Sequence, residues 1–100
     1  MLMNVRVRVP TQLRDLVAGV SVVEIDVDGS SDDVTSVGTV LDALATQHPA
    51  LERRIRDEQG NTRRHVNLFV EADNIRDRDG PATPMTATEE LSIIPAVSGG

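Results

Sequence analysis

The chain predicts an α+β fold: a mixed sheet of four to five strands with one main helix laid across one face, ending in a flexible Gly-Gly tail. Three observations carry this. Two segments near the start alternate apolar and polar residues with a period of two. A segment in the middle repeats apolar residues at helical spacing. The order is hairpin, helix, then strands, closing on Leu91-Ser92-Ile93-Ile94. A helix across one face of a sheet buries all of these apolar stripes together.

The first strand is Asn4 to Val9, with Val5, Val7 and Val9 facing one way and Asn4, Arg6 and Arg8 the other. Pro10 ends it, because proline has no N–H for the ladder. Thr11 to Gly19 reads as a turn region, with Leu13 and Leu16 tucked against the sheet. The second strand sets Val23, Ile25 and Val27 against Glu24, Asp26 and Asp28, so the two strands form an antiparallel hairpin. Asp28 to Asp33 is polar and turn-forming. Thr35 or Ser36 then caps a helix whose buried stripe is Val37, Val40, Leu41 and Leu44, with Asp42 and Gln47 pointing away. Gly38 weakens that helix and Pro49 stops it. A short helical segment follows over Ala50 to Arg56, with Leu51 and Ile55 one turn apart, and Asp57 to Asn61 is a loop. The third strand is His65 to Val70: Val66, Leu68 and Val70 share one face, and His65, Asn67 and Phe69 the other. Ala72 to Pro84 is loop-like, with Ile75 in a very short strand. The first and last strands must be central and parallel, since the hairpin and the later strands share one helix-covered face. This is the β-grasp, or ubiquitin-like, architecture, in a single domain over residues 1–100 with a tail at 96–100.

Composition narrows the function. The net charge of −6 argues against nucleic acid as the main partner, because phosphate recognition needs a basic surface. Absence of an eighteen-residue apolar run or a cationic leader argues against a membrane span or signal peptide. With no cysteine, neither disulfides nor Cys-ligated metal holds the fold, and a cytoplasmic location is expected. The core must be aliphatic, since Phe69 is the only aromatic residue. All ten basic residues are arginine, so no lysine ε-amine is present to receive an isopeptide bond.

The ends of the chain carry a resemblance. Met3 to Arg14, Arg64 to Val70, Asp73-Asn74-Ile75-Arg76, Gly80 with Thr83, and Ile93 to Gly100 are similar to the MoaD/ThiS family of sulfur carriers. The likeness is greatest to the CysO-type carriers that serve cysteine biosynthesis in actinobacteria. One stretch departs from the family pattern: Thr86-Ala87-Thr88-Glu89-Glu90 stands where the family has a Gly-Asp turn, so that turn must avoid a positive φ or reach it by another route.

The resemblance implies a chemistry centred on Gly100. A ubiquitin-activating (E1-like) enzyme would use ATP to adenylate the Gly100 carboxylate, and a sulfide equivalent would displace AMP to leave a thiocarboxylate. A sulfur-accepting synthase would then receive the tail. This chain would bind no cofactor and would not itself be an enzyme; ATP and the sulfide source belong to the activating partner. Ala96, Val97, Ser98 and Gly99 would thread the partner's active site, the glycines passing where a Cβ would not. Pro95 would stiffen the exit and stop further pairing. Ile94 matches the apolar position that the family uses in its partner-docking patch. It alternates with Ile93 and is expected to be exposed, while Phe69 and Pro95 would complete the patch.

Two other classes remain beside a carrier feeding cysteine or another product such as a thiosugar. One is a modifier joined through Gly100 to lysines of other proteins, the other a plain interaction domain; within the carrier class, the small subunit of molybdopterin synthase is an alternative. His48 and His65 lack metal-ligand spacing and are expected to be structural or exposed. Arg6 and Arg8 read as a solvated strand face, and Asp32-Asp33 and Glu89-Glu90 as loop charges.

Overall fold

The computed structural model describes residues 2–29 and 32–95. β1 (Leu2–Arg8) alternates between exposed and buried along its whole length. It starts two residues earlier than the valine pattern alone predicts, because Met3 continues the inward row ahead of Val5 and Val7. β1 pairs antiparallel with β2 (Val22–Asp28), and Val5 lies opposite Ile25. The segment between them is more regular than a turn: Thr11–Val17 is a 3₁₀ helix, left through positive φ at Ala18 and Gly19. Leu13 packs partly on the core and Leu16 is half-buried, but the residue of this segment buried in the core is Val17.

α1 (Val37–Gln47) buries the four residues its periodicity names: Val37, Val40, Leu41 and Leu44. Ser36 is the cap, its Oγ accepting from the Thr39 N–H at 3.2 Å. Gly38 has a packing role. A Cβ there would stand 3.2 Å from the Pro81 carbonyl oxygen, so its bare backbone lets the Gly80–Ala82 turn lie against the helix. α2 (Pro49–Ile55) begins on Pro49, which suits a first helical turn, and buries Leu51 and Ile55.

β4 (Val66–Val70) and β5 (Asp73–Asn74) pair antiparallel. Ile75 is buried but falls just after the short strand, at the start of the 3₁₀ turn Ile75–Asp77, which corrects its expected place in a strand. The loop-like stretch ends in β6 (Pro84–Thr86). This pairs antiparallel with β3 (Val34–Ser36) as a separate two-stranded ribbon that the sequence pattern did not reveal. The ribbon buries Met85.

β7 (Glu90–Pro95) completes the main sheet in the order β2-β1-β7-β4-β5. It runs parallel to β1 and antiparallel to β4, as the shared helix-covered face requires. The turn into β7 manages without glycine. The Glu89 N–H donates to the Thr86 carbonyl at 3.1 Å, the Thr86 N–H donates to Glu89 Oε1 at 2.8 Å, and no residue from 86 to 90 has a positive φ. The core between sheet and helices is built of branched aliphatics with Met3 and Met85, and Val5, Val7, Leu41, Leu44, Leu91 and Ile93 are among its most buried residues.

Candidate functional site: the outer sheet face at the end of the last strand

Side chains alternate along β7. Leu91 and Ile93 enter the core, while Glu90, Ser92 and Ile94 belong to the outer face. Ile94 is 46% exposed, against 2% for its neighbour Ile93. The register with β4 sets Asn67 opposite Ile94 and Phe69 opposite Ser92. Phe69 therefore shares the outer face with Ile94 and lies diagonal to it, within reach of a long side chain. Phe69 is half-buried, so Ile94 is the more accessible of the two.

Pro95 departs from the expected patch. It pairs with buried Val66 and so falls on the helix-side alternation, away from the face that Phe69 and Ile94 share. It meets Ile94 only at the rim, where Val9, Pro10 and Ser92 to Pro95 help to line a shallow groove beside the end of β1. The pairing also explains why a proline is tolerated there. The Glu71 N–H donates to the Glu90 carbonyl at 3.1 Å, and alternation along an antiparallel pair then makes Phe69–Ser92 and Asn67–Ile94 the bonded rungs. Val66 spends its own groups elsewhere: its N–H donates to the Arg63 carbonyl at 3.1 Å, and its carbonyl accepts from Arg76 at 2.9 Å. The Val66–Pro95 pair needs no N–H from residue 95. Asn67–Ile94 is the last bonded rung before the end of β7.

Charge on this face is organised within the chain. Arg8 Nε lies 2.7 Å from Glu90 Oε1, with the Arg8 side chain 52% exposed and that of Glu90 17%. Glu90 is thus a strand residue tied to β1, which corrects its reading as a loop charge, while Glu89 lies in the preceding turn as read, its carboxylate accepting from the Thr86 N–H. Arg8 is ion-paired, while Arg6 beside it stays exposed. On the far side of the helices Arg56 bridges Glu52 at 2.6 Å and Asp42 at 2.9 Å. Burial works to lower its pKa, but its bonds to Glu52 and Asp42 outweigh this and raise it above the ordinary arginine value. Arg56 braces α2 on α1.

Among the described residues no group of three or more His, Cys, Asp or Glu side chains could hold a metal ion. His48 joins the two helices and His65 is exposed ahead of β4. No helix among them is long and apolar enough to cross a membrane. Ala96, Val97, Ser98, Gly99 and Gly100 lie outside the described residues, so the outer-face residues next to them are the part of the site whose geometry is visible. Sequence reasoning missed Glu90, Asn67 and Arg76 as parts of this region. Asn67 and Arg76 both fall in stretches that resemble the family, but nothing in the sequence places them together.

A five-stranded mixed sheet with parallel central strands, helices on one face and a last strand leading towards Gly-Gly defines a ubiquitin-like β-grasp protein. The model of the ThiS family matches residues 7–100, and the chain belongs to that family. It is 39% identical over 88 residues to small archaeal modifier protein 1 of Haloferax volcanii, covering 84% of this chain and 87% of the relative. It is 32% identical over 100 residues to the sulfur carrier protein CysO of Mycobacterium tuberculosis, covering 98% of this chain and all of the relative. Among solved structures, a chain of the Amycolatopsis orientalis BexX/CysO complex superposes with a TM-score of 0.78 at 28% identity, over 96% of this chain and 99% of that one. The expected likeness to CysO-type carriers is present, and a modifier protein stands beside it.

Proposed function

We propose that this ThiS-family protein is a sulfur carrier that works as a protein co-substrate through the Gly100 carboxylate. A carboxylate has no useful leaving group. In the proposed sequence an E1-like partner joins a Gly100 oxygen to the α-phosphorus of ATP, and pyrophosphate leaves. A sulfide equivalent then forms a C–S bond at the acyl carbon as the bond to AMP breaks and AMP departs with its electron pair. The resulting thiocarboxylate donates sulfur to a synthase that receives residues 96–100, with Ile94 and Phe69 meeting the partners' surfaces. The observation that carries this reading is the reach of the family match, which runs through Gly100. The full-length similarity to CysO supports cysteine or another sulfur-containing product, such as a thiosugar, as the destination. The CysO chain solved together with BexX supports a partner protein for such carriers.

A second reading has its own support. The 39% identity to a small archaeal modifier protein favours conjugation of Gly100 to lysines of other proteins, and the same adenylate would serve it. Co-production with the native activating enzyme, followed by intact-mass analysis, tests both. A carrier gains the mass of one oxygen exchanged for sulfur at Gly100. A modifier leaves a Gly-Gly remnant on target lysines after digestion. Deletion of Gly99-Gly100 should abolish either signal, and absence of both from the undeleted chain overturns the proposal.

A further inference from the structure

Arg76 lies just past β5, and its guanidinium gathers four acceptors around the start of β4. One terminal nitrogen donates to Asn67 Oδ1 at 3.2 Å. The other is shared among the backbone carbonyls of Arg63 at 3.3 Å, Arg64 at 3.2 Å and Val66 at 2.9 Å. The reason for this cluster is topological. β5 covers only Phe69 and Val70, so the earlier part of β4 has no neighbouring strand on that side. The planar fork of an arginine takes the place of the missing strand. Asn74 adds a weaker contact, its Nδ2 standing 3.4 Å from the same Asn67 oxygen.

Asn67 is also the residue whose backbone closes the last bonded rung to Ile94. We propose that Arg76 is a positioning residue for the end of β7. By anchoring Asn67 and the three carbonyls around it, Arg76 holds the rung that aims Ile94 outward and sets where the chain leaves the sheet. No partner needs to touch Arg76 for it to act. A lysine cannot replace it, because one ammonium cannot reach donors into this spread of acceptors. The link to sulfur loading rests on the carrier reading above; the geometric claim does not.

Amide hydrogen exchange on the full chain tests the geometric claim without any partner. In Arg76→Gln the Ile94 and Asn67 amides are expected to exchange on the order of tenfold faster, the equivalent of losing one or two net hydrogen bonds locally. Val5 and Val7 in β1 should keep their wild-type rates. Arg76→Lys should resemble Arg76→Gln. Arg78→Gln, which removes only the surface pair with Asp73 in the same turn, should change neither amide. Unchanged Ile94 and Asn67 rates in Arg76→Gln, or an equal acceleration at Val5 and Val7, would overturn the proposal. In cells with the native activating enzyme, Arg76→Gln should also lower the fraction of chain carrying sulfur. If the wild-type chain never acquires sulfur, the carrier reading fails while the exchange data still decide the role of Arg76.

Discussion

Arg8 on the first strand and Glu90 on the last are joined by a 2.7 Å ion pair across the parallel centre of the sheet. The two residues are 82 positions apart, so the contact reports directly on closure of the fold. Because Arg8 is half in solvent, the pair should contribute less than about 1 kcal/mol. Arg8→Gln and Glu90→Gln are each expected to shift the urea midpoint only slightly. The shift should shrink in high salt, and a double-mutant cycle should give a coupling in that range.

The two isoleucines of β7 should separate stability from docking. Ile93→Ala opens the core and should cost about 2–5 kcal/mol in urea unfolding. Ile94→Asp should leave the unfolding midpoint near wild type, since that side chain is 46% exposed, yet reduce sulfur loading or conjugation by the native activating enzyme. Equal loading by Ile94→Asp and wild type would remove Ile94 from the docking surface.

Phe69→Ala should fall between these two. The side chain is half-buried on the outer face, so a moderate loss of stability is expected together with weaker loading. Comparison at equal folded fraction, measured by near-native hydrogen exchange in the core, isolates the second effect.

Arg56 supports the helices rather than the exit. Arg56→Gln leaves Glu52, only 15% exposed, without its cation, and a loss of about 2 kcal/mol is expected from a bond to a charged group. The sign of the pH effect follows from the raised arginine pKa: the stabilisation is complete at all pH values below the unfolded arginine range and fades only as pH rises through the folded value. Deprotonation of Arg56 therefore contributes no slope to stability between neutral and mildly alkaline pH, which a series of urea titrations will check.

Ser36→Ala should cost about 1 kcal/mol through loss of the cap on the Thr39 N–H. Thr35→Ala should cost less, its hydroxyl donating to the Asp28 carbonyl at 3.2 Å and capping no helix N–H among the described residues. Thermal unfolding of the two variants distinguishes the cap from its neighbour.

Much of the architecture was legible because its signals are local and repeated. Val5 and Val7 declare a strand face, and Val37, Val40, Leu41 and Leu44 declare a helix face, whatever surrounds them. The outward aim of Ile94 followed from Ile93 by the same alternation. The β3–β6 ribbon was not legible: three residues per strand are too few to show a period, and its partners are some fifty positions apart. Val17 was missed because a 3₁₀ helix has no sustained stripe. In the site, Glu90 looked like a loop charge beside Glu89, and only the register across β1 turns it into a partner for Arg8. Pro95 looked like part of the exposed patch until pairing with Val66 placed it on the other alternation. Arg76 illustrates the same limit, because its acceptors come from a loop and a strand that only the folded chain assembles.

The position of β7 between β1 and β4 has a mechanical consequence. On the carrier reading, a partner that draws on residues 96–100 would pull β7 along its own length, while its backbone bonds run across that direction on the β4 side and slant across it on the β1 side. Such a load falls on several rungs at once instead of peeling them singly, so traction on the chain end is resisted by the whole middle of the sheet. On the carrier reading proposed above, the domain would be a firm handle while a partner draws on its last residues.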